Sequence, residues 1–409
     1  VERIVVTGLG AVSPHGLGVE RLWKGLRSGR TAIGEVNLFD ATRHRTQLAG
    51  ISETGEVPLG AAARRLSRAD LFAIEAARQA FADAGLAGAE SRADAGVFFG
   101  SSTGGMFEGE RVFFDNLKGQ QKSRTRARAR MWAAQPVCSP ANAVARMFGL
   151  HGPLETCATA CAAATMAFES ALESLRSGEV SLAIAGGSDG LCEMTHGGFN
   201  SLRAVSAQPT RPFRADRDGL NLGEGSGVVV LETETHASAR GATVLGELAG
   251  AGSSCDAHHM TAPQPEGLGA QLAIERALQD AGVKAGEIDF INAHGTGTLH
   301  NDCAEWNALC RVFGEGAGDL PLTSSKGSVG HLLGACGGLE AVVTLLCLRA
   351  GEVHPTPGGG QVGPDCPVDL VLDQPRDLPE ARTALSLNLA FGGANAALVL
   401  RGAAPGASS

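Results

Sequence analysis

Four stretches carry residues that could do chemistry together. The first is Ala158-Thr159-Ala160-Cys161-Ala162-Ala163-Ala164-Thr165. A strand-like run from Leu154 to Thr159 feeds Cys161, and apolar residues at i, i+3 and i+4 predict a helix from Ala163 to Leu175, closed at Gly178. A cysteine where a strand becomes a helix faces unpaired N–H groups and the positive end of the helix dipole, which favour a thiolate. The second stretch, Asn292-Ala293-His294-Gly295-Thr296-Gly297-Thr298, puts His294 at the end of a buried strand. The third, Thr323-Ser324-Ser325-Lys326-Gly327-Ser328-Val329-Gly330-His331, puts His331 before a helix predicted from about Leu332, which favours a neutral imidazole. The fourth, Asn388 to Asn395, contains Phe391-Gly392-Gly393, a glycine turn whose N–H groups suit a developing oxyanion. A thiolate, two neutral histidines and free N–H groups fit acyl transfer followed by carbanion chemistry. Neither a carboxylate acid–base pair nor a phosphate loop competes with that reading.

The elements that must hold these groups belong to a 409-residue chain, 44% hydrophobic and 19% charged, long enough to bury a large core as one or two domains. A net charge of −9 argues against non-specific nucleic-acid binding. The ten cysteines form no CxxC pair, which suggests reduced thiols in a cytoplasmic setting, and Cys157 and Cys161 have no second pair to complete a zinc site, so no metal is expected. No apolar run is expected to reach the roughly 18 residues of a membrane span. The chain starts directly as a strand at Arg3 to Thr7 with no leader, so a soluble protein that is not exported and does not enter a membrane is expected. Gly8-Leu9-Gly10 looks faintly like a dinucleotide loop but lacks the third glycine, and Pro14 blocks the helix that would hold a pyrophosphate. Tyrosine is absent, which rules out tyrosine-based chemistry.

Helices are predicted over about Gly18–Ser28 and Asp70–Ala84, and a strand over Ala95–Gly100. Gly109 to Trp132 ends in a basic run (Lys122, Arg124, Arg126, Arg128, Arg130) and reads as a helical excursion off the core. The second half echoes the first. Ala73 to Gly85 resembles Ala273 to Gly282, and Ala160-Cys161 leading to Arg176-Ser177-Gly178-Glu179 resembles Ala335-Cys336 leading to Arg349-Ala350-Gly351-Glu352. Two imperfect strand-helix-strand-helix copies imply duplication and α/β layering with mostly parallel strands. Halves of 1–245 and 246–409 are expected, with the site at strand C-termini where the halves face each other.

Thr159-Ala160-Cys161, His294-Gly295-Thr296-Gly297-Thr298, Lys326-x4-His331-Leu332-Leu333-Gly334-Ala335 and Phe391-Gly392-Gly393-Ala394-Asn395 resemble the β-ketoacyl-acyl-carrier-protein synthase family, in particular the synthase II type and the type II polyketide ketosynthases. The likeness runs from Val6 to Asn395 and includes Arg211-Pro212-Phe213-Arg214-Ala215-Asp216-Arg217-Asp218-Gly219. It implies a thiolase fold of duplicated α/β halves in αβαβα layers, usually dimeric, and a decarboxylative Claisen condensation. By that resemblance Cys161 takes an acyl group from a carrier-protein thioester. His294 and His331 hold the malonyl thioester carbonyl as carbon dioxide leaves. The Cys161 and Phe391 N–H groups, with Gly392 in the same turn, form the oxyanion hole, and Phe391 is a gate. Lys326 and Glu340 match a supporting polar pair; Thr296 and Thr298 match positions on the pantetheine arm. Arg64, Arg65, Arg68 and Arg203 fall where the family meets its acidic carrier protein, and the 122–130 basic run adds to that surface. No cofactor is implied beyond the carrier's phosphopantetheine, although Asn292, Glu340, Ser386 and Asn388 resemble a cluster that binds a structural monovalent cation in some members.

The chain departs from the family's pattern in three places. Ala162-Ala163-Ala164 replaces Thr/Ser-Ser-Gly behind the nucleophile, Leu389-Ala390 replaces Phe-Gly before Phe391, and Gly109 stands where the synthase II type has a bulky pocket residue, which predicts a wider acyl tunnel. Two relatives on the same fold remain as alternatives. A thiolase would need a second catalytic cysteine where this chain has Phe391-Gly392-Gly393; a chain-length partner subunit would lack Cys161. Fatty-acid and polyketide or polyene pathways, and a homodimer or a heterodimer with a chain-length partner, are all left open by the sequence.

Overall fold

The computed structural model describes residues 2–54, 66–88, 93–117, 132 and 134–403. Its main sheet is built from two runs of strands that repeat one order. In the first, strands β1 (Ile4–Ser13), β2 (Gly96–Gly100), β3 (Leu154–Cys157), β4 (Leu182–Asp189) and β5 (Gly225–Thr233) lie as β1-β5-β4-β2-β3 from the centre outward. In the second, β6 (Gly246–Cys255), β7 (Phe290–Asn292), β8 (Pro321–Thr323), β9 (Asp369–Leu370), β10 (Thr383–Leu389) and β11 (Ala394–Gly402) lie as β6-β11-β10-β7-β8-β9. The runs meet at β1 and β6, which pair through only Val5↔Glu247 and Val6↔Gly246. In both, the first three strands pair antiparallel and the next two join in parallel, so the expected mostly parallel sheet is instead mixed, with its centre antiparallel.

Helices fill three further layers. Two of them, α2 (Ala163–Arg176) and α5 (Cys336–Ala350), lie between the runs and touch strands of both. Outside, α1 (Arg68–Asp83) packs on β1 and β5, and α3 (Leu268–Ala281) on β6 and β11. The layering is αβαβα. Serine and aspartate set the start of α1, where Ser67 and Asp70 form a reciprocal capping box.

Two further expectations are corrected here. Leu333–Ala350 is 18 residues long and apolar enough to cross a membrane by length and composition, but 89% of it is buried inside the protein. A helix between two runs of strands has no water-facing side and is therefore apolar all round. The supposed loop Gly8-Leu9-Gly10 is the middle of β1. Its glycines let α1 sit against the strand backbone: a Cβ on Gly8 would lie 2.1 Å from the Ala80 carbonyl oxygen, and one on Gly10 only 1.9 Å from that of Ala76. Gly10→Ala is expected to destabilise the fold by about 3 kcal/mol through overpacking, read as a lowered thermal midpoint; an unchanged midpoint would contradict this packing.

The internal echo is sharper in the structure. Ala160 (φ 50°) and Leu333 (φ 57°) each open a 3₁₀ turn that runs into α2 and α5. Their offset of 173 positions is also that between Gly178 and Gly351, the left-handed glycines after those helices. Cys161 is thus matched by Gly334, and Cys336 by Ala163, rather than Cys161 by Cys336.

Candidate active site

Cys161 sits at a strained elbow. Its predecessor Ala160 adopts a left-handed conformation that costs an L-residue about 1–2 kcal/mol. The turn presents the thiol at the floor of a cavity of about 460 Å³ that His294, His331, Thr296, Thr298 and Phe391 also line. The sulfur and a ring nitrogen of each histidine lie within 4.8 Å of one another, and the two imidazoles meet edge to face at 5.4 Å.

The hydrogen bonds behind the rings set their tautomers. His331 Nδ1 accepts from the Leu333 N–H at 3.0 Å. His294 Nδ1 faces the Asn388 amide nitrogen at 3.2 Å. That amide is oriented because it also donates to Glu340 Oε2 at 2.7 Å, while its oxygen takes the Thr165 hydroxyl. An acceptor at Nδ1 puts the proton of a neutral ring on Nε2, so both histidines offer Nε2–H donors to the cavity. Burial, reinforced by the nearby Lys326 ammonium, lowers His331 to about 3 and His294 well below its ordinary value. The expected neutrality of His331 holds, but burial causes it; the helix begins at Cys336, five residues on.

Cys161 departs from expectation. Burial pushes its thiol up to about 11, against the opposing pull of Lys326 and of the Phe391 and Cys161 N–H groups. The resting residue is a thiol. Lys326 Nζ reaches Glu340 Oε1 at 2.5 Å with both side chains almost fully buried. Glu340 in turn holds Asn388, so one chain of contacts runs from the ammonium to His294. Breaking a buried pair of this kind leaves an uncompensated charge, which usually costs about 3–5 kcal/mol.

Two carboxylates outside the four motifs hold the site's His-Gly-Thr-Gly loop. Glu305 accepts the N–H groups of His294 and Gly295 at 2.6 and 2.8 Å. Asp302 accepts those of Thr296, Gly297 and Phe213 at 3.1, 3.2 and 2.8 Å. Both are buried on the helix α4 (Leu299–Phe313), and together they cradle the whole His-Gly-Thr-Gly loop. Their three-residue spacing just after that motif was the available signal.

A cysteine and two histidines this close also match three ligands of a zinc site. The outer shell argues otherwise. A metal-bound imidazole donates its second N–H to an acceptor, whereas both rings here meet donors at Nδ1.

The remaining expected residues fall as follows. Phe391 stacks on Phe199 at 5.4 Å and 15°, and Gly392 takes a left-handed conformation (φ 84°), its N–H bound to the Met260 carbonyl rather than free for an oxyanion. Thr296 and Thr298 hydroxyls meet at 2.9 Å on the cavity wall. Gly109 does not line this cavity; the Gln135 side chain fills the space beside it, 2.9 Å from where a Cβ would be. Leu389 and Ala390 do line it. Ala162, Ala163 and Ala164 are fully buried behind the cysteine and do not line the cavity; Ala163 and Ala164 lie close against Gly100, and Ala164 also packs beside Gly187. Arg203 is exposed at the cavity mouth. Arg68 is turned inward onto Glu224 and the Ser52 carbonyl, leaving little for a partner. Arg64, Arg65 and the 122–130 basic run lie outside the described residues.

The αβαβα layers and a cysteine flanked by two neutral Nε2–H donors define a thiolase-fold condensing enzyme. The descriptions "Beta-ketoacyl synthase, N-terminal domain" and "Beta-ketoacyl synthase, C-terminal domain" match residues 1–237 and 245–359. The chain is 36% identical over 414 residues to a 3-oxoacyl-[acyl-carrier-protein] synthase 2 of Synechocystis sp., covering 98% of each. It also superimposes on the ishigamide ketosynthase/chain length factor structure (TM-score 0.91, 34% identity, 98% of this chain and 100% of that one). A type II polyketide ketosynthase solved with its acyl-carrier protein and a hexaketide gives a TM-score of 0.88 at 30% identity, over 98% and 100%. The chain belongs to the β-ketoacyl synthase family, whose members are condensing acyltransferases.

Proposed function

We propose that this chain is the catalytic ketosynthase of fatty-acid or type II polyketide or polyene assembly, condensing an acyl group on Cys161 with malonyl-acyl-carrier protein. The observation that carries it is the convergence of the Cys161 sulfur with two histidines whose Nδ1 atoms are already occupied. In the first step the Cys161 sulfur attacks the acyl thioester, the Cys161 and Phe391 N–H groups stabilise the oxyanion, and the thiol proton leaves with the pantetheine thiol. In the second, the His294 and His331 Nε2–H groups bind the malonyl thioester carbonyl. Loss of carbon dioxide leaves an enolate there, and its carbon attacks the acyl group and expels the Cys161 thiolate, which takes up a proton. Lys326 and Glu340 position Asn388 and hence His294. A chain-length partner subunit would not need this complete set.

The carrier protein would dock at the mouth by Arg203 and deliver phosphopantetheine along Thr296 and Thr298. The halves 1–245 and 246–409 would each supply part of the site, in a cytoplasmic homodimer or in a heterodimer with a chain-length subunit; native mass spectrometry of the co-purified protein separates these. A structural monovalent cation would fit beside Asn292, whose Oδ1 is buried with no hydrogen-bond partner. Ser386, its neighbour across the sheet, and the Glu340 and Asn388 oxygens would complete a hard oxygen set. The cation would supply positive charge beside Glu340.

Mass spectrometry of Cys161 with acyl-carrier thioesters, followed by product analysis with malonyl-carrier protein, tests the proposal; no acyl adduct and no β-ketoacyl product would end it. Its pH dependence follows from the rings. With His331 at about 3, carbon dioxide release should show no histidine limb between pH 5 and 8, and an apparent pKa near 6.5 would contradict the assignment. Stability should fall as pH drops from about 6.5 toward 3, because the unfolded histidine takes up a proton that the folded one refuses.

A further inference from the structure

The carboxylate of Asp189, at the end of β4, is fully buried and faces six donors. Oδ1 accepts from the Ser101 hydroxyl (2.7 Å), the Ser102, Thr103 and Gly104 N–H groups (3.0, 2.8 and 3.3 Å) and the Thr103 hydroxyl (2.9 Å). Oδ2 accepts from the Ser102 N–H at 2.9 Å and from the Gly334 N–H at 2.6 Å. No cation pairs with it among the described residues. Five donors belong to the first half of the chain and one to the second, three residues past His331.

Gly334 is the duplicate of Cys161. Each follows a left-handed residue at a 3₁₀ elbow leading into a central helix, and the two elbows touch. At the first elbow the N–H belongs to the nucleophile and is the donor proposed for the reaction's oxyanion. At the second, the equivalent N–H binds a carboxylate of the protein itself, and the side chain is absent because a Cβ would lie 2.8 Å from Asp189 Oδ2 and 2.7 Å from the Ser102 nitrogen. Ser102 also reaches back to the first elbow, its hydroxyl donating to the Ala160 carbonyl at 3.2 Å.

We propose that Asp189 is a positioning residue that holds the His331 elbow in register with the Cys161 elbow. Its carboxylate fills the second elbow's oxyanion site and fixes Leu333, whose N–H sets the His331 tautomer. The Ser102 hydroxyl is the branch that steadies Ala160. The inference rests on the reaction proposed above, and the two half-reactions separate them. In Asp189→Asn an amide NH₂ faces some of these donors, so kcat for carbon dioxide release from malonyl-carrier protein should fall about 30-fold with KM nearly unchanged, while Cys161 acylation changes by less than about threefold. Ser102→Ala should do the reverse, slowing acylation about threefold to tenfold and sparing carbon dioxide release. Should Asp189→Asn not fold, Ser102→Ala decides alone: a selective loss of acylation supports the two-branch scheme, and no selectivity overturns it. Folded Asp189→Asn protein losing both half-reactions equally, or neither, also overturns it. Wild-type protein that performs neither half-reaction would instead refute the proposed function.

Discussion

Cys161→Ala protein is expected to form no covalent acyl adduct with any acyl-carrier thioester, and its condensation rate should drop by at least about 10³-fold. The other cysteines give no substitute. Among the described residues Cys161 is the one cysteine that lines the cavity with the two histidines; Cys336, 3.5 Å from His331 Nδ1, is buried behind the ring and does not line it. The same variant should keep releasing carbon dioxide from malonyl-carrier protein, because both Nε2–H donors remain. Intact-protein mass spectrometry reads the first result and bicarbonate-coupled carbon dioxide detection the second. An adduct that survives the substitution would place the nucleophile elsewhere.

Removing both imidazoles should give the mirror image. A His294→Ala, His331→Ala double variant is expected to lose about 10³-fold in carbon dioxide release while Cys161 still acylates within about tenfold. Two buried donors aimed at one developing enolate oxygen act in a site that excludes water, where a single such donor is often worth about 10²–10³ in rate. They act as a unit, so each single variant should fall most of the way and the losses should not multiply. Each ring is held by a different element, His294 by Asn388 and His331 by its own elbow, so the singles should not disturb one another's placement. Retained carbon dioxide release in the double variant would remove the decarboxylation role.

Much of this site was readable from spacing. Cys161, His294, His331 and the Phe391 turn each sit where an element ends, and element ends are marked by local residues: glycines after strands, apolar periodicity, a left-handed glycine at a helix terminus. Glu305 and Asp302 are not legible in this way, although they follow the loop that they cradle, because nothing local shows that a helical carboxylate aims backward at loop amides. Asp189 left still less trace. Its donors come from positions about 90 residues before it and 145 after it.

By itself the sequence determined the class of chemistry, the duplicated α/β plan and the residues that the fold gathers around the cavity, because types and local spacing suffice for those. Burial and long-range pairing decided the rest. The helix end that should favour a Cys161 thiolate is outweighed by the low dielectric around it, which no local pattern records. Gly109, expected beside the acyl chain, has its space filled by Gln135, and Arg68, expected at the surface, is held inside by Glu224. The register of the repeat moved by two residues because backbone conformation, not residue identity, defines the elbow. Whether a group is charged, exposed or aimed at a neighbour depends on what the remote chain places around it, and only the tertiary structure supplies those neighbours.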